Sequence, residues 1–189
     1  LEEAIKNVDV SGSVVYRYNN SDNQANTPSD QTETNNYKIG LNLSSKVNDY
    51  VKFNSRFIVG SANDGGFASL NSSKGDRDGL NSGDKQADVT LSNAYFGFTA
   101  IPNTVVNVGK QGLTTPYTVA VDINGNEQTG TGILALSTFG PITAGAGYFN
   151  ATNLADSGNG NVPRALFDNG YDMYVATVQG DLDFVKLEA

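Results

Sequence analysis

The chain has no cysteine, no histidine and no tryptophan, one methionine, and no apolar run long enough to cross a bilayer as a helix. Each absence removes a class of function. Without cysteine there are no disulfides, no thiolate chemistry and no zinc-ribbon sites. Without histidine the commonest general base and metal ligand is gone. A net charge of −8 argues against a nucleic-acid surface, where Lys and Arg dominate. The longest apolar runs fall far short of the ~20 residues a membrane helix requires. The mean hydropathy of −0.33 still admits a β-barrel, because only alternate strand residues of a barrel meet lipid while its loops stay polar.

Only 38% of the 189 residues are hydrophobic, and they fall into short runs of period two, the spacing of strands with one apolar face. In Val8–Tyr18, the parity Val8, Val10, Gly12, Val14, Tyr16, Tyr18 opposes Asp9, Ser11, Ser13, Val15, Arg17. Similar alternation predicts strands over Tyr37–Leu43, Val51–Gly60, Val89–Ala100, Val105–Gln111, Thr131–Thr138, Ile142–Asn150, Tyr171–Gln179 and Phe184–Ala189. Long polar segments at 19–36, 61–88, 112–130 and 151–169 alternate with short turns near Ser45–Tyr50, Ile101–Thr104, Phe139–Pro141 and Gly180–Asp183. A transmembrane β-barrel has this rhythm, short turns on one side and long loops on the other. A β-sandwich does not require it. The expected fold is therefore all-β: an antiparallel transmembrane β-barrel of a bacterial outer membrane, with about nine strands in one domain over 1–189.

The polar parity carries Asp9, Arg17, Lys38, Lys52, Arg56, Lys186 and Glu188, too many charges for a small packed interior, but tolerable in a wet lumen. Tyr16, Tyr18, Tyr37 and Tyr50 near strand ends fit an interfacial aromatic girdle. Segment 112–130 is the third long connection and holds Asp122-Ile-Asn-Gly-Asn-Glu127. Folded inward, its two carboxylates form a pore constriction facing the basic wall of Arg17, Lys38, Lys52 and Arg56, and the field between them favours polar or charged permeants. The run Asp76–Asp84 reads as a solvated turn. Gly109-Lys-Gln111 lacks the flanking residues of a phosphate loop, and nothing places a base beside a nucleophile, so no enzymatic activity is expected.

The opening from Leu1 to Gly12, with Val14-Val-Tyr-Arg-Tyr18, resembles the mature N-terminus of the Campylobacter-type major outer-membrane porins. Asn63-Asp-Gly-Gly66, Val108-Gly-Lys-Gln111 and Gly130-Thr-Gly132 extend the resemblance. It implies a barrel of 16–18 strands, a homotrimer in outer-membrane lipid, and passive diffusion of ions and small hydrophilic solutes. Nine strands cannot close such a barrel, so the chain reads as the N-terminal portion of a longer porin, incomplete at its C-terminus. The resemblance also implies calcium in the constriction, with Asp122 and a second acid at Asp156 as its positions; no other cofactor is required. The acidic loop predicts cation preference. The alternative is a secreted or surface β-sandwich or adhesin that binds glycans or a host protein.

Overall fold

The computed structural model describes residues 7–23, 30–61, 66–70, 87–115, 117–160, 162–167, 170–182 and 185–188. Ten strands form one antiparallel sheet: β1 (Val8–Asn23), β2 (Asp30–Asn48), β3 (Val51–Gly60), the two-residue β4 (Ala68–Ser69), β5 (Asp88–Phe98), β6 (Thr104–Gly112), β7 (Thr129–Phe139), β8 (Ile142–Thr152), β9 (Met173–Leu182) and β10 (Val185–Glu188). Apart from β4, which pairs with β2, each strand lies beside its neighbours in sequence, in the order β1-β2-β3-β5-β6-β7-β8-β9-β10. Each of the nine strands expected from periodicity is present. No second sheet faces the first among the described residues, so the sandwich alternative is set aside. The run Asp76–Asp84 lies outside the described residues, as do Leu1–Lys6 and the end residues Phe184 and Ala189 of the last expected strand.

The largest difference from the sequence reading is in the first hairpin. Residues 19–36 read as a loop, yet β1 and β2 stay paired from Tyr18↔Asn35 out to Asn23↔Asp30. Both parities of this extension are Asn, Ser, Thr, Asp, Glu and Gln, so it has no apolar parity to announce it. Its backbone groups are satisfied by the ladder itself. Periodicity reports where a strand meets two different media; a stretch whose two parities are both polar gives no such signal.

Burial runs opposite to that of a water-soluble protein. Val14 is 74% exposed and Tyr174 76%, whereas Lys38 is 5% exposed. The register shows one apolar outward surface: Val14, Ile39, Val59 and Val89 lie side by side on successive strands, as a lipid-facing band requires. Aromatic residues mark its two borders. Phe53 and Phe96 meet at 5.1 Å near the short-turn end. Tyr148 and Tyr174 meet at 5.1 Å near the other, and Tyr16 is the cross-strand partner of Tyr37.

The opposite face is mostly polar on β1–β5, with Val15 and the buried Ile58 among its polar residues, and becomes apolar on β7–β9. There Leu113, Phe149, Leu154 and Val162 are buried in one cluster, with Leu134, Phe167, Met173 and Val175 packed against it. This small core lies between the wall and the connections that follow β6 and β8. It gives those two segments an apolar footing on the wall.

β6 reaches its neighbour closely at Gly109, which has φ +128; a Cβ there would stand 2.5 Å from the Ala94 carbonyl oxygen. Gly109→Ala should therefore cost about 2 kcal/mol or more. The measurement is the temperature at which the detergent-extracted full-length protein loses its folded, heat-modifiable gel form, and it should fall by several degrees.

Candidate pore constriction

Residues 113–128, between β6 and β7, double back as nested turns. Leu113 N–H donates to Gln128 O (2.9 Å) and Gln128 N–H to Ala120 O (2.8 Å). Isolated bridges join Thr115 with Thr118 and Val121 with Glu127. The tip is built on Asp122. Its carboxylate accepts the backbone N–H groups of Asn124 (2.9 Å), Asn126 (2.8 Å) and Gly158 (2.6 Å), and the Asn126 side-chain amide (2.8 Å). Asx residues form such turns because a short carboxylate or amide reaches its own backbone two residues on. Gly125 supplies the positive φ (+90) that closes this one. Burial alone would raise the Asp122 carboxyl. The hydrogen bonds from Asn126, Gly158 and Asn124 outweigh it and hold the group below its ordinary value of 3.8.

Glu127 carries the connection from loop to wall. Arg56 grips its carboxylate with Nε on Oε2 (2.9 Å) and Nη2 on Oε1 (3.1 Å). Lys38 Nζ donates to Oε1 (2.8 Å) and to the Gly125 carbonyl (2.6 Å). The Ser92 hydroxyl lies 3.1 Å from Oε2. The fork of Arg56 onto a carboxylate is the strongest common geometry for such a pair. The side chains of Lys38, Glu127 and Arg56 are 7%, 16% and 19% exposed, so water screens them little. Arg56 also donates to Asn42 Oδ1 (2.9 Å). Gly40 leaves the guanidinium its space, since a Cβ there would stand 2.7 Å from Nη2. Burial pushes the Glu127 carboxyl up, but the hydrogen bonds and charges of Arg56 and Lys38 prevail and hold it below its ordinary 4.5.

Arg17 joins the same assembly. Its Nη2 donates to Asn124 O (3.3 Å), and its guanidinium lies 3.9 Å over the Phe67 ring. Of the basic residues picked out in the sequence, Arg17, Lys38 and Arg56 thus reach the loop. Lys52 does not: it lies exposed at the short-turn end, opposite Lys46 and Gly97. The acids differ as well. Glu127 touches the wall cations, whereas Asp122 is occupied by N–H groups of the loops.

That occupancy bears on calcium. An ionised carboxylate offers about four lone-pair directions, and four N–H donors point at Asp122. A hard cation would have to displace them. Asp156 is exposed in the 3-10 turn Leu154–Asp156 and takes no part in the Asp122 cluster. Among the described residues no group of three Asp or Glu is placed to hold a metal. The residues present do not fit the ion.

Three contributors were missed in the sequence. Ser92 is the extra residue of a β-bulge, for Arg56 pairs with Asn93 and Phe57 with Leu91, and the bulge turns its hydroxyl toward Glu127. Asn153 accepts Thr129 N–H (2.7 Å) and donates to the Glu127 carbonyl. The segment Ser157–Asn159 backs the loop: Ser157 with Gln128, Gly158 with Asp122, Asn159 with Ile123. The density of Asn, Ser and Gly after β8 was the available signal, since these residues bond to nearby backbone.

A continuous antiparallel sheet, apolar outward and polar inward, with an infolded loop pinned across its inner face, is the wall of an outer-membrane β-barrel. The chain belongs to the Campylobacter major outer membrane protein family, whose sequence profile matches residues 1–166, and this places it in the outer membrane. Its fold is similar to that of Pseudomonas aeruginosa OccD3 (OpdP), with a TM-score of 0.58 over 97% of this chain and 14% identity. The match covers 40% of that protein, so the chain spans less than half the length of this structural relative. No curated protein sequence matches significantly.

Glu127→Ala would leave one buried and one half-buried cation without their anion. We expect loop docking to weaken by about 3 kcal/mol or more, seen as a marked rise in open-channel current noise of the full-length porin. Glu127→Gln, which keeps the shape, should be milder. For pH, the folded-state pKa of Glu127 is depressed, so its stabilising contribution is present above the ordinary value and lost as pH falls through the lower, folded one. Channel noise should stay flat from pH 8 down to 5 and rise only below 4.5.

Proposed function

We propose that the chain forms part of the wall and the constriction of a water-filled channel for passive diffusion of ions and small hydrophilic solutes. The observation that carries this reading is the Glu127–Lys38–Arg56 contact, which holds a loop against the polar inner face of a sheet whose outer face is apolar. Further strands complete the barrel, since β1 and β10 are the two ends of the described order.

Selectivity follows from where charge sits. The two constriction acids have partners, and three cations stand beside them, so this part of the constriction is not electronegative. By sequence, the other long segments, 19–36, 61–88 and 151–169, hold ten Asp and Glu against four Lys and Arg. An acidic mouth concentrates cations ahead of the constriction. The channel is therefore cation-preferring through its mouth rather than through Asp122. Assembly as a homotrimer is in keeping with the family resemblance. Lys110, on the outward parity of β6 opposite Ala94 and Thr131, is a charge that lipid disfavours and a neighbouring protomer receives better.

Planar-bilayer recording of the full-length protein tests this. Stepwise conductance is expected, with a reversal potential favouring cations in 0.1 M salt. The preference should largely vanish in 1 M salt, as the screening length falls from about 10 to about 3 Å. Folded insertion without conductance would sink the channel reading, and a preference indifferent to salt would sink the acidic mouth.

A further inference from the structure

Directly below the Glu127–Arg56 contact, toward the short turns, the inner face holds a recess of about 200 Å3. Two rows of cross-strand partners line it. Ser11, Asn42, Arg56 and Asn93 form the first, and Asp9, Ser44, Asn54 and Tyr95 the second. Strand geometry sets the spacing at about 4.8 Å along a row and about 6.8 Å between rows. The recess is thus a regular array of amides and hydroxyls rather than a field of charges.

Its electrostatics are muted. The Arg56 charge is met by Glu127 in direct contact, and the one other charge is that of Asp9, exposed on the outermost strand. Its hydrogen-bonding capacity is not used up. Asn42 is taken by Arg56 and Ser11, and the Asn93 oxygen lies beside Ser92. Among the described residues, the Asn54 amide, the Tyr95 hydroxyl and the Asn93 amide nitrogen have no protein partner. An amide donates and accepts at once, as does an alcohol, whereas a bare cation engages only the acceptors and an anion only the donors. The Tyr95 ring adds an apolar face beside these groups.

We propose that this recess is a permeant subsite for neutral polyhydroxylated solutes of monosaccharide or sugar-alcohol size, entered just after the constriction. The proposal rests on the channel reading. It gives that channel a solute class that its charged residues do not specify.

The test is ion current through the full-length porin in planar bilayers, titrated with glucose. A subsite produces a saturable fall in current beyond the fall in bulk conductivity. Asn54→Ala and the conservative Tyr95→Phe should each raise the half-saturating concentration about fivefold, the worth of one hydrogen bond, with open-channel steps retained. Current that tracks bulk conductivity without saturating, in a protein that still shows steps, overturns the subsite alone, and so does a half-saturation unchanged in both variants. Absence of steps overturns the channel reading and the subsite with it.

Discussion

A carboxylate with little access to water, held between an arginine and a lysine, organises the inner face of this protein. Glu127 belongs to a connection, Arg56 and Lys38 to the wall, and each would be costly to bury alone. Their mutual contact gives the connection one low-energy position. The adjoining features follow from it. Gly40 makes room for the guanidinium, Asn42 takes its remaining Nη group, the bulge at Ser92 brings a hydroxyl to the carboxylate, and Arg17 extends the contact to Asn124.

The loop is held from a second side. Residues 153–159 bond to Ile123, Glu127, Gln128 and Thr129 as well as to Asp122, and the apolar cluster of Leu113, Phe149, Leu154 and Val162 lies under both segments. The infolded structure is thus built from two loops on one wall. Asp122 acts within it as a positioning residue, tying the tip of one loop to the backbone of the other. This explains how an acid so prominent in the sequence is turned toward the protein rather than offered to passing ions.

Much of the fold was legible because a membrane wall writes itself in period two. Val14, Ile39, Val59 and Val89 face one medium and their neighbours another, and the nine main strands were found on that contrast. Where both parities are polar the contrast disappears, and so the extension of β1 and β2 to Asn23 and Asp30 read as loop. At the site, Arg17, Lys38 and Arg56 stood out because they are charges on the polar parity of neighbouring strands, and Glu127 because it is one of the two charged residues of segment 112–130. Lys52 has the same parity but lies too near the short turns, a matter of height along the barrel that a strand pattern does not report. Ser92 and the Asn153–Asn159 brace depend on a bulge and on contacts between distant loops, neither of which has a local pattern.

The central claim is that residues 113–128 lie against the β1–β3 wall rather than outside the barrel. Cysteines at positions 17 and 124 of the full-length protein, joined by a short bis-maleimide, test it most directly, because Arg17 and Asn124 are in hydrogen-bond contact. Near-complete cross-linking is expected in the folded, membrane-inserted protein. Efficient single labelling of both cysteines with no cross-link would contradict it.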